Sequence, residues 1–149
     1  MAGRRLYTLA SGVTAAFGEV SDMSLQGRKS LLRKRAKRGF RGYPAATVTL
    51  YGPDDQVATK VAVGIIDRDG GDVVALERWF SDGADIRLDH TVELAIVDYI
   101  RSHAVHTVVM TEGIFGCPHE EVVDYPEGTS CPRCPYWAGR DRATRERLQ

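Results

Sequence analysis

The chain has 149 residues, a one-domain length, and with 43% hydrophobic residues it can build a modest core, which excludes global disorder. No apolar run approaches the ~20 residues that span a bilayer, so a membrane protein is not expected. Net charge is zero, but residues 1–50 carry ten Lys or Arg against only Glu19 and Asp22, while residues 51–149 carry ten basic and eighteen acidic residues: a basic arm on an acidic body.

In chain order, residues 1–44 read as that arm. The opening "MAGRRLYTLASGVTAAFGEV" has an Arg pair and a weakly apolar stretch diluted by Thr, Ser and Gly. It lacks a small-x-small cleavage site, so a secretory signal is not expected; the lateness of the first acid, Glu19, leaves an organelle transit peptide as the alternative. An odd count of three cysteines argues against a disulfide framework and points to a reducing cytoplasm. "SLQGRKSLLRKRAKRGFRGYP" predicts a short helix with Ser24 as N-cap, Leu25, Leu32 and Ala36 on one stripe, Gly27 as a weak point and Gly39 as the stop. Arg28, Lys29, Arg33, Lys34, Arg35, Lys37, Arg38 and Arg41 follow one another with no acid between them, a density that can neutralise several phosphates. Phe40 and Tyr43 can add stacking on unpaired bases, so these ten residues are the candidate nucleic-acid contacts, with RNA the preferred polyanion. The bland reading is a solvated helix lying on the protein's own acidic face; an acidic protein partner is a further option. The small apolar face of Leu25, Leu31 and Leu32 argues against membrane insertion.

Residues 45–115 read as an α+β core. "ATVTLYG" and "ATKVAVGII" predict a hairpin across "GPDDQ", and "VVALERWF" predicts a third strand after the turn "DRDGGD". "TVELAIVDYIRSH" predicts a covering helix capped by Asp89, with Val92, Ile96, Tyr99 and Ile100 as its apolar stripe; "HTVVMT" predicts a buried fourth strand. The result is a mixed β-β-β-α-β sheet. This order is similar in topology to the opening of ribonuclease H-like domains, but "ATVTLYG" lacks the carboxylate that would hold their catalytic metal. Asp82, Asp85, Asp89 and His90 crowd the approach to the helix, where capping is the ordinary use of such aspartates. Thr111 and Glu112 close the last strand, a place where open sheets bind ligands.

Residues 116–149 hold every cysteine, within eighteen positions. Cys117 and His119 form one pair with one residue between them, Cys131 and Cys134 another with two, and eleven residues separate the pairs. A tetrahedral Zn2+ needs four such N or S donors from two short turns, and Pro118, Pro132 and Pro135 stiffen both corners. A structural zinc bound by Cys117, His119, Cys131 and Cys134 is therefore expected. The competing readings are three ordinary buried cysteines, a "CPRC" redox pair, and a zinc deaminase site with Glu121 as proton shuttle. The deaminase reading meets an obstacle: the nine residues from Glu121 to Cys131, with Pro126 and Gly128 among them, cannot hold a half-helix and a crossing strand. The segment offers few large apolar residues (Val122, Val123, Tyr125, Tyr136, Trp137), so metal binding and ordering are expected to be one event.

This ending, with "YGPDDQVATKVAVGII" and "HTVVMTEGIFGCPHEE", resembles a group of small bacterial proteins that share a GCPHEE…YPEG…CPxCPxW tail. The resemblance covers most of residues 43–142; it implies a shared domain and brings no reaction with it. The expected function is a non-catalytic, zinc-stabilised module that binds RNA through the basic arm. The alternative is a small-molecule enzyme or ligand sensor, with a pocket around Thr111, Glu112 and the zinc loop.

Overall fold

In chain order the strands are β1 (Ala45–Tyr51), β2 (Lys60–Ile66), β3 (Val73–Phe80) and β4 (Thr107–Ile114); the helices are α1 (Leu31–Ala36) and α2 (His90–Ser102). The computed structural model describes residues 30–149. The expected Ser24 cap, and Leu25, Gly27, Arg28 and Lys29, lie outside the described residues. Inside them Ser30 caps α1, accepting the Arg33 N–H at 3.3 Å.

The sheet order is β3-β2-β1-β4, so the mixed α+β fold read from the sequence is the observed one. β1, β2 and β3 are antiparallel neighbours, and β4 lies parallel to β1. A parallel return needs a crossover, which α2 supplies between β3 and β4. Asp89 caps α2 as expected, accepting from the Val92 N–H at 3.2 Å. Val92, Ile96, Val97 and Ile100 are buried; Tyr99 packs edge-to-face on the buried Trp79 at 5.7 Å.

One apolar cluster joins the inward rows of the sheet (Ala46, Val48, Leu50, Val61, Val63, Ile65, Val108) to α2 and to Leu32 of α1. Alternation sends Thr47, Thr49, Ala62, Gly64, Leu76 and Val109 to the other face. Leu76 and Val109 are 47% and 53% exposed there, so no described helix covers that side.

The segment after α1 is anchored to the first residue of β4. Thr107 is buried, and its hydroxyl donates to the Gly42 carbonyl at 2.7 Å while accepting the Arg41 N–H at 2.8 Å. Ser30 also donates to the Glu93 carboxylate at 2.5 Å, tying α1 to α2. Among the described residues, no helix is long and apolar enough to cross a membrane.

Candidate metal centre

The chain leaves β4 through Gly116, whose φ of +87° is open to glycine at little cost. The first corner then forms, with the His119 N–H pointing at the Cys117 sulfur, 3.3 Å away. The second is a tight turn closed by the Cys134 N–H on the Cys131 carbonyl at 3.4 Å, and Cys134 leads straight into the 3-10 turn Pro135–Trp137. The two corners face each other. His119 Nδ1 lies 3.1 Å from Cys117 Sγ, 3.3 Å from Cys131 Sγ and 3.4 Å from Cys134 Sγ. All four donor atoms fall within 4.8 Å of one another, and all three cysteines are buried.

These four residues could hold a metal ion. Donors around a tetrahedral ion with bonds of about 2.0–2.3 Å stand about 3.6 Å apart for N···S and 3.8 Å for S···S. The observed N···S separations are a few tenths of an ångström shorter than that. Burial pushes the Cys117 and Cys134 thiols up from their ordinary range, and for Cys117 the neighbouring thiols Cys134 and Cys131 push the same way. A cation at the centre reverses that preference, because the thiolate is the ligand form. Convergence of three sulfurs on one imidazole also sets the arrangement apart from a two-cysteine redox pair.

The loop between the corners holds itself together. The Glu120 N–H donates to Asp124 Oδ2 and the Asp124 N–H to the Glu120 carbonyl, each at 2.7 Å. Glu121 accepts the Gly128 N–H at 2.8 Å, so its carboxylate braces this loop. Of the five apolar residues counted on in this segment, Trp137 is buried and Tyr125 and Tyr136 pack against the core, whereas Val122 and Val123 are 70% and 76% exposed.

Two residues that the sequence did not single out support the first corner from below. Lys60 opens β2 and is only 3% exposed; its ammonium donates to the Pro118 carbonyl at 3.0 Å and to Glu120 at 3.1 Å. Arg78 of β3 grips Glu120 from the other side, with Nε at 2.9 Å and Nη2 at 3.0 Å. Burial alone would raise the Glu120 carboxyl, but these two cations outweigh it and hold the group below the usual carboxylate range. An apolar strand pattern gives no sign that its one lysine meets a loop some sixty positions away.

Gly52 joins the lobe to the hairpin. Its N–H donates to the Gly116 carbonyl at 3.0 Å, and its own carbonyl accepts the Trp137 indole N–H at 2.8 Å. A Cβ here would stand 2.0 Å from the Val57 carbonyl oxygen, a backbone atom that cannot step aside. Gly52→Ala is therefore expected to lower unfolding stability by about 1–3 kcal/mol, the usual range for overpacking; an unchanged denaturant midpoint would contradict this.

Two clefts flank the His119–Glu120 ridge. One, of about 550 Å3, is bordered by Thr59, Phe80, Pro118, His119, Arg133 and Cys134. The other, of about 300 Å3 on the uncovered side of the sheet, is bordered by Tyr51, Lys60, Arg78, Glu121 and Arg142. Neither includes Thr111 or Glu112. The Thr111 hydroxyl instead accepts the Leu50 N–H at 3.4 Å where the β1–β4 register shifts. The aspartates before α2 cap and pair: Asp85 holds Arg87 at 2.6 Å and Asp89 caps the helix. Among the described residues, the three-cysteine, one-histidine set is the group of His, Cys, Asp and Glu whose donors converge on a point.

The basic residues lie elsewhere. Arg33, Lys34, Lys37, Arg38 and Arg41 are exposed and Arg35 is half-buried, its guanidinium donating to the Val105 carbonyl at 3.3 Å. Among the described residues, none of the six forms a salt bridge to a carboxylate. Phe40 is 67% exposed and meets Tyr43 edge-to-face at 5.3 Å, while the Tyr43 hydroxyl donates to Asp69 at 3.3 Å. The chain matches no family model, no curated protein and no solved structure, so its site is interpreted from its own chemistry.

Proposed function

We propose that this protein is a non-catalytic binding module whose C-terminal lobe is held by Zn2+ and whose basic segment, ending at Tyr43, binds RNA. Zinc is favoured over other ions by the donor set: three soft thiolates on buried cysteines and one imidazole make a four-donor shell that suits a structural zinc, with no donor position left for a reacting water. A reducing compartment such as the cytoplasm suits three free thiols. The bacterial proteins with the same GCPHEE…CPxCPxW ending would share this build.

The observation that carries the RNA reading is the row of exposed cations in residues 33–41 that have no carboxylate partner among the described residues. A helix resting on its own acidic face would spend those charges internally. Arg41 leads to Tyr43 and the exposed ring of Phe40, which gives backbone contact and stacking within one short stretch.

Deleting the whole arm would confuse the test, because Leu32 belongs to the core. Substituting Arg33, Lys34, Lys37, Arg38 and Arg41 together by Gln leaves that contact in place. Binding of mixed single-stranded RNA by the intact protein should weaken steeply with salt. The five-fold variant should bind at least tenfold more weakly, with its log–log salt slope reduced by about 3.5, from ~0.7 for each of five phosphate contacts. No binding by the intact chain, or an unchanged slope in the variant, would overturn this reading. The ligand-sensor alternative draws its support from the larger cleft beside His119 and Cys134, and a small-molecule screen read by thermal shift would reveal it.

A further inference from the structure

We propose that Lys60 is the buried counter-ion of the metal centre, setting its affinity through charge; this rests on the zinc reading above. A divalent ion bound by three thiolates and a neutral imidazole retains one negative charge. That charge would sit among buried sulfurs, where an uncompensated ion is costly. A compensating cation should be close and shielded from water.

Lys60 meets both conditions. Its side chain is 4% exposed, and its ammonium touches the carbonyl of Pro118, the residue between ligands Cys117 and His119. Two of its three N–H groups are taken by Pro118 and Glu120, and the Tyr51 and Phe80 rings lie 5.1 Å and 5.6 Å away. Glu120 does not use up the charge, since Arg78 already holds both its oxygens and the carboxylate is 39% exposed. The other charges around the lobe, Glu121, Asp124, Arg133 and Arg142, are exposed, which weakens their influence, although Arg133 also favours the Cys134 thiolate. A lysine at the first position of an otherwise apolar strand is expensive to bury, and a nearby anionic metal complex explains it.

A scaffold role and a charge role make opposite predictions. Lys60→Met and Glu120→Gln both break the Lys60–Glu120 ion pair, but the first removes positive charge and the second removes negative charge. Metal-free protein would be titrated with Zn2+ against a competing chelator, and with Co2+ to record the thiolate charge-transfer band. Lys60→Met should weaken Zn2+ binding 10–100-fold, the range seen when groups supporting a metal's ligands are removed. Lys60→Arg should stay within a few-fold of wild type, and Glu120→Gln should bind as tightly or more so. Equal weakening by Lys60→Met and Glu120→Gln would overturn the proposal, as would wild-type affinity in Lys60→Met. If Lys60→Met does not fold with metal present, Glu120→Gln decides alone: a tenfold loss there overturns the counter-ion role. A wild-type chain that binds neither ion overturns the zinc reading and this proposal together.

Discussion

Cys131→Ser or Cys134→Ser is expected to abolish stoichiometric metal binding and to unfold residues 116–149 as a unit. A structural zinc contributes roughly 10 kcal/mol or more, comparable with the whole stability of a small domain. The lobe has little to replace it with. Its buried contents are the three cysteines and Trp137, while Val122 and Val123 face solvent. The loss should travel further than the tail, because the Gly52 N–H and carbonyl both bond to the lobe. Hydrogen exchange should therefore show loss of protection at Gly52 and Trp137, with the β2–β3 pairing less affected. Stripping metal from the wild-type protein with a chelator should reproduce the pattern. Affinity should climb with pH, since the Cys117 and Cys134 thiols must give up protons that burial makes them hold more firmly. Intact protection of the lobe in the metal-free protein would disprove the coupling.

Trp137→Ala should produce the second large effect, by a different route. Trp137 is 8% exposed, meets Tyr136 edge-to-face at 5.0 Å and donates its indole N–H to Gly52. Truncation of a buried tryptophan costs about 3–5 kcal/mol, and the Gly52 carbonyl would also lose its partner. All four metal donors remain in this variant. It should accordingly bind one metal ion while its denaturant midpoint falls sharply even at saturating metal. That separates folding of the lobe from its docking on the hairpin. Trp137→Phe should lie between, recovering much of the apolar contact without the hydrogen bond. Loss of metal together with the tryptophan would show instead that docking and coordination cannot be separated.

What could be read from the sequence was whatever depends on neighbours along the chain. The hairpin, the third strand and the Asp89 cap with its Val92–Ile96–Ile100 stripe are local patterns, and they stand where expected. The donor quartet was legible for the same reason: its spacing is short and its chemistry unusual. Pairings between distant segments were not legible. Nothing near Thr107 announces that it would anchor the loop at Gly42, and nothing near Lys60 announces Pro118. The pocket expected at Thr111 and Glu112 followed from a general habit of open sheets, whereas here Thr111 closes onto the β1 backbone and the clefts lie beside the lobe.

The position of β1 bears on how this chain must be made. β1 is interior, yet its partner β4 is translated only after β2, β3 and α2. A nascent chain that has emerged from the ribosome as far as Phe80 owns an antiparallel three-stranded ribbon with β1 as a bare border. That border carries Val48 and Leu50, whose covering by α2 comes only later, and such a margin invites pairing with a neighbour's strand. Synthesis therefore passes through a sticky stage that ends when β4 slots in, and messages cut short between those two points should yield inclusion bodies and not a soluble fragment.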